Sequence, residues 1–168
     1  QDCSLFENIN NTAIHGSDPF CKPEVIDKQL ILDGNTVQVL YNYAPIGFGV
    51  EKLHFLVIPK KHRVDFKELQ VQEYKEAMVL AKEIIYCFSK NRNNQEIFLV
   101  HKTGKDAGQT VFHWHMHIVI SANYAHNLFY KLLILKNKMF GSTPMTDTEL
   151  KERVEQLRAE FEQYQMRK

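Results

Sequence analysis

Residues 113–118 read His-Trp-His-Met-His-Ile, an imidazole at every second position with a large apolar residue between. Successive side chains of a strand point to opposite faces, so this pattern sets His113, His115 and His117 on one face. Phe112, Trp114, Met116 and Ile118 take the other, which has to be core. The polar face becomes a ledge of imidazoles spaced about 6.5–7 Å apart on a rigid element. The stretch from Thr110 to Ile120 is therefore predicted as one strand, the strongest in the chain.

Three uses of such a ledge compete. The imidazoles can be structural, but three buried rings would each need hydrogen-bond partners. They can hold zinc, since histidines two apart on a strand are good ligands, although no Asp or Glu follows within ten residues to complete a set. Or one of them can be a nucleophile, because imidazole is largely neutral near pH 7 and attacks electrophilic centres such as phosphorus.

The rest of the chain supplies a sheet and its cover. Gln29–Leu32 and Thr36–Tyr41 flank Asp33-Gly34-Asn35, a hairpin signal. Ala44–Gly49 reads as a loop, and Leu53–Ile58, ended by Pro59, as a buried strand. Val71, Tyr74, Met78, Ala81, Ile85 and Phe88 recur at steps of three and four, one face of a helix that stops near Asn91. Glu96–His101 is a further strand and 104–108 a turn, while 128–135 fits either strand or helix. Thr146 and Glu149 have the form of a capping box, and Leu150, Val154, Leu157, Phe161 and Tyr164 mark a final helix. The expected fold class is α+β: an antiparallel β-sheet with a central helix and a C-terminal helix. Residues 1–28, rich in turn signals, are expected to form a loose N-terminal arm, 29–122 the core, and 123–168 an extension whose helix packs on it.

Composition narrows the function. Lys plus Arg number 21 and Asp plus Glu 20, so a net charge of +1 gives no global attraction for nucleic acid or an anionic membrane. Any bound anion must be caught locally. Three cysteines cannot build a disulfide framework, and no stretch approaches the roughly 20 apolar residues of a membrane span. A cytoplasmic location is the expectation.

Gly108-Gln109-Thr110-Val111-Phe112-His113-Trp114-His115-Met116-His117 resembles the signature of the histidine triad family. A second block, His54-Phe55-Leu56-Val57-Ile58-Pro59-Lys60-Lys61-His62, resembles that family's Pro-ended strand. The resemblance covers roughly residues 29–120 and implies a histidine-triad fold. It also implies a nucleotide hydrolase or transferase acting at the α-phosphate, in which His115 attacks phosphorus and water resolves a nucleotidyl-histidine. By the same resemblance His113 and His117 orient the nucleophile and contact phosphate oxygens. His54 completes a hydrogen-bond relay, Gln109 and Thr110 contact phosphate and leaving group, and Asn42 holds the ribose. Gln109, Thr110 and His117 can stabilise the transition state without a cofactor. A purine nucleotide is the implied substrate, homodimers are common in the family, and neither nucleic acid nor a membrane is an expected partner. The base is expected in an apolar slot of the early hairpin and the His54 strand, walled by Tyr41, Tyr43, Leu53, Phe55 and Val57, with no group to tell adenine from guanine.

Two departures stand out. Lys102 and Thr103 occupy positions where the family commonly has a small polar residue or Asn, so leaving-group contacts are expected to differ. Some relatives hold a structural zinc through an N-terminal Cys-x-x-Cys, the last histidine of the Pro-ended strand and the first of the triad. The corresponding set here is Cys3, Cys21, His62 and His113, with the cysteines far from knuckle spacing. A nucleotide-binding scaffold with vestigial activity and a zinc-dependent hydrolase are the alternative functions.

Overall fold

The computed structural model describes residues 18–46, 52–89, 95–122 and 143–168. The ambiguous stretch 128–135 and Cys3 lie outside them. A single turn of 3₁₀ helix, Pro19–Cys21, leads into α1 (Pro23–Gln29), β1 (Leu30–Asp33), β2 (Val37–Tyr41), β3 (Leu53–Pro59), α2 (Val71–Ser89), β4 (Gln95–His101), β5 (Met116–Ala122) and α3 (Asp147–Met166). The strands form one antiparallel sheet in the order β1-β2-β3-β5-β4. This is the α+β architecture expected, with α2 central and α3 C-terminal.

The central strand β3 is buried along its whole length, so both of its faces are covered. Alternation divides it. Leu53, Phe55 and Val57 join Val39 and Tyr41 of β2, Ile118 and Ile120 of β5, and the inner faces of α2 and α3 in the main core. Leu56 and Ile58 join Leu40 and Ile26 of α1 in a smaller cluster on the other face. Fully burying one such side chain contributes about 1.5–3 kcal/mol. The capping box forms: the Thr146 hydroxyl accepts from Glu149 N–H while the Glu149 carboxylate accepts from Thr146 N–H. α3 touches β1, α1 and α2, and Arg158 donates to the carbonyls of Leu30 and Asp27.

The hairpin turn is locked to α2. Glu76 accepts from Asn35 N–H, Thr36 N–H and the Thr36 hydroxyl at 2.5–2.7 Å. Gly34 fits beneath that carboxylate, and a Cβ there would lie 2.7 Å from Val37 O and 2.6 Å from Glu76 Oε1. The carbonyl belongs to the turn and cannot swing aside. Gly34→Ala is therefore expected to cost about 1–3 kcal/mol, as overpacking does. Urea unfolding checks this, and an unchanged midpoint would refute it.

Two expectations are corrected. From Asp18 onward the loose arm is helical, and α1 packs through Ile26 on the sheet. Pro19 and Pro23 start the two helical pieces, where a missing N–H costs nothing. The second correction concerns the histidine strand. Residues 111–113 are a bend and 110, 114 and 115 irregular, and β5 begins only at Met116. Trp114 N–H bonds the Arg63 carbonyl, outside the sheet ladder, and the His113 ring reaches for the Pro59 carbonyl and Asp18. His113 and His115 thus sit on a loop entering the strand, and His117 alone of the three lies within it.

Candidate functional site

His54 and His117 face each other across the β3–β5 pair, where Leu56 is registered with His117 and His54 with Val119. Their hydrogen bonds assign each proton. Ile46 N–H donates to His54 Nδ1 at 2.9 Å, so that nitrogen holds a lone pair and Nε2 holds the hydrogen. Nε2–H of His54 then donates to His117 Nδ1 at 2.9 Å, which leaves the hydrogen of His117 on Nε2. His115 is fixed in the opposite tautomer by a different partner. Its Nδ1 lies 2.7 Å from the His113 carbonyl, which only accepts, so Nδ1–H donates and Nε2 carries the lone pair. One ring therefore presents a nucleophilic nitrogen and its neighbour, with centroids 5.0 Å apart, a donor.

All three rings are held neutral. Burial, together with His117 and His115, keeps His54 well below the ordinary imidazole value. Burial, His115 and Lys102 bring His117 down to about 3. Burial also lowers His115, against the opposing pull of its bond to the His113 carbonyl. A neutral imidazole is the form able to attack.

His54, His115 and His117 line a cleft of about 450 Å³, a size suited to a small organic ligand. Thr110 and Asn42 line it as well. Asn42 Oδ1 accepts from Ala44 N–H, and its amide lies 3.2 Å from the His54 ring, so it ties the chain after β2 to the His54–His117 pair. Gln109 does not reach the cleft. Its Oε1 accepts from Gly104 N–H and its Nε2 donates to Val64 O, which pins the 104–109 turn to the chain after β3. The expected slot is also built differently. Leu53, Phe55 and Val57 point into the α2 core, because residues one step from His54 on a strand take the opposite face. The apolar walls come from Phe20, Val25, Ile46, Leu56, Met145 and Leu150, with Tyr43 the only aromatic of the five expected wall residues that lines the cleft. Sequence reasoning missed Phe20, Val25 and Met145, which arrive from segments without strand or triad signals. Across the mouth Lys28 and Asp147 pair at 2.8 Å, tying α1 to the start of α3.

Behind Phe20 lies a second cluster. Asp18, Cys21, His62 and His113 bring one donor atom each within 4.8 Å of all the others. Asp18 Oδ2 is 3.0 Å from Nδ1 of both His62 and His113, and Cys21 Sγ is 3.5 and 3.8 Å from the same nitrogens. A tetrahedral zinc with bonds of about 2.0–2.3 Å would separate its ligands by roughly 3.3–3.7 Å. The separations from Asp18 and Cys21, 3.0–3.8 Å, straddle that spacing, and carboxylate, thiolate and imidazole are all zinc ligands. His113 Nε2–H donates to Pro59 O at 3.0 Å, the outer bond that turns Nδ1 toward a metal. Burial would raise the Asp18 carboxyl, but hydrogen bonds from His113 and His62 hold it well below its ordinary range. Asp18-Pro19-Phe20-Cys21 has knuckle spacing with a carboxylate in the first position, a signal the sequence reading passed over in favour of Cys3. The Phe20 ring, carried by that turn, meets the His113 and His115 rings edge-on at 5.8 and 5.5 Å.

The HIT domain profile matches residues 24–123. An uncharacterized HIT-like protein of Mycoplasma genitalium is 42% identical over 72 residues, 43% of this chain and 51% of that protein. The bis(5'-adenosyl)-triphosphatase of Dictyostelium discoideum is 35% identical over 80 residues, 48% of this chain and 51% of that enzyme. The chain thus spans about half the length of these curated relatives. Among solved structures, a zinc-bound histidine triad family protein from Mycobacterium smegmatis superposes with a TM-score of 0.60 at 20% identity, over 91% of this chain and 99% of that one.

Proposed function

The chain belongs to the HIT domain family, and from that premise we propose that it is a nucleotide hydrolase or transferase acting at the α-phosphate through His115. The observation that carries the reading is the tautomer of His115, whose Nε2 lone pair is set by the bond of Nδ1–H to the His113 carbonyl. Nε2 attacks the α-phosphorus, and the bond from phosphorus to the leaving group breaks with its electron pair. The positive charge left on the ring is stabilised by the His113 carbonyl. His117 Nε2–H, held in place by His54, donates to a non-bridging oxygen as charge spreads there. Water then attacks phosphorus, the P–N bond returns its pair to His115, and the nucleotide leaves. The purine nucleoside lies between Val25, Tyr43, Ile46, Met145 and Leu150, and Gln109 acts as a positioning residue for Thr110. Capture of the intermediate tests this: protein denatured at alkaline pH, where the P–N bond survives, should carry one nucleotidyl group on His115, and no adduct during turnover would overturn it.

Asn42 holds the ribose in this reading. Asn42→Ala should raise KM severalfold on ribonucleotides, since a lost hydrogen bond costs on the order of 1 kcal/mol, and less on 2′,3′-dideoxy substrates. Equal losses on both would show that Asn42 acts only through Ala44 and His54.

Asp18, Cys21, His62 and His113 would hold a zinc ion, which supplies structural cross-linking of the segment before α1 to the strand ends. A reducing cytoplasm would keep the Cys21 thiol available for it. A homodimer would use β4, an edge strand on which Ile97 and Leu99 are exposed, with Tyr74 and Met78 of α2 exposed as well.

A further inference from the structure

β4 and β5 are registered as Val100↔His117 and His101↔Met116. Lys102 is the first residue after β4, directly beyond the His101↔Met116 pair, as His115 directly precedes β5. Its side chain lies across Gly108, where an added Cβ would be 3.4 Å from Nζ and 3.8 Å from Cδ. Gly108 adopts φ +85, a left-handed conformation that suits glycine, and leads through Gln109 to Thr110 and Val111 in the cleft. The ammonium therefore sits over the turn that delivers the leaving-group side of the site. Its charge is felt by both His115 and His117, which it helps keep neutral. Lys102 is exposed, and among the described residues no ion pair engages it.

We propose that Lys102 is the cation that receives the leaving group, and that it selects a phosphate or polyphosphate leaving group over an amine. This rests on the reading of His115 as nucleophile. When Nε2 attacks the α-phosphorus of a nucleotide anhydride, the bond to the bridging oxygen breaks and its electron pair stays on that oxygen. Negative charge grows on the departing phosphate, and an ammonium on a flexible four-carbon stem stabilises it without transferring a proton. A phosphoramidate behaves in the opposite way. Its nitrogen departs as a neutral amine only after gaining a proton, and a fixed positive charge nearby disfavours that protonation. One lysine thus separates two leaving-group classes that share the same transferred nucleotidyl group.

The test uses the whole chain as wild type, Lys102→Met and Lys102→Arg, with diadenosine triphosphate and adenosine 5′-phosphoramidate as substrates. Both transfer adenylyl to the same histidine. Lys102→Met should lower kcat/KM on diadenosine triphosphate by roughly 30-fold, an exposed cation counting for less than a buried oxyanion donor. On the phosphoramidate the rate should hold or rise by up to about threefold, because no negative charge develops for the lysine to stabilise and its removal eases protonation of the amine. Lys102→Arg should recover most of the lost rate, since charge and not shape is required. Equal losses on both substrates, no loss on the triphosphate, or an arginine variant as poor as methionine would overturn the role of Lys102 while adenylylated His115 still forms. A wild-type protein that turns over neither substrate and carries no adduct would overturn the nucleophile reading, and this proposal with it.

Discussion

His115→Ala is expected to abolish turnover, with kcat falling by about 10⁴-fold or more, as removal of a nucleophile does elsewhere. The expectation rests on geometry. The lone pair on Nε2 has no substitute in the cleft, because the Nε2 of His117 carries a hydrogen and its Nδ1 is taken by His54. The Nδ1 of His54 is taken by the Ile46 amide. Neither neighbour can take over the attack without breaking the relay. The fold should survive, since His115 lies in the cleft lining and belongs to neither core cluster. Nucleotide affinity should change little, because the proposed base and ribose contacts, at Val25, Tyr43 and Asn42, do not involve His115. Stopped assays with either substrate class, and a binding titration with AMP, separate the two effects. A variant retaining even a tenth of the wild-type rate would sink the assignment of His115.

The fold was legible where burial follows a simple period. The steps of three and four from Val71 to Phe88 became a helix over Val71–Ser89, although its buried face runs through Ala77, Ala81, Ile84 and Phe88 and leaves Val71, Tyr74 and Met78 exposed. The capping residues Thr146 and Glu149 opened α3 at Asp147. The resemblance implied a relay completed by His54, and His54 Nε2 lies 2.9 Å from His117 Nδ1. What stayed hidden depends on contacts distant in sequence. The alternation through His113 and His115 promised a strand, but the pull of Asp18 and of the Pro59 carbonyl, 95 and 54 residues away, holds His113 off the ladder. The walls of the cleft failed for a related reason. Leu53, Phe55 and Val57 looked like a slot because they neighbour His54 in sequence, but a strand sends them to the far face. Met145 and Leu150 reach the cleft only because Met145 N–H bonds the Tyr43 carbonyl and α3 packs beside α1.

The second large effect is expected at Asp18. Purified protein should carry one zinc per chain, and Asp18→Ala should lose it and unfold at a markedly lower temperature. Removing the carboxylate takes away the one anionic oxygen shared by two imidazoles, which are buried at His113 and nearly so at His62. Breaking such a buried polar set costs about 3–5 kcal/mol. Spread over a chain of this size, that corresponds to a fall in Tm of roughly 6–20 °C. Chelation discriminates metal from a purely ionic cluster. If zinc cross-links the set, EDTA should lower the wild-type Tm and leave Asp18→Ala where it already is. Turnover should suffer less than stability, because in the proposed reading His115 supplies the nucleophile and His117 the hydrogen bond, while the cluster acts on them by holding Phe20, the turn before α1 and His113, whose carbonyl orients His115. Cys21→Ser separates the ligands further, since a hydroxyl is a far poorer zinc ligand than a thiolate but preserves the Asp18–histidine bonds. Zinc-free protein whose Tm ignores EDTA, with Asp18→Ala as stable as wild type, would show the cluster to be neither a metal site nor a cross-link. A rate that vanishes on chelation and returns with zinc, at unchanged Tm, would move the chemistry from His115 to a metal-bound water.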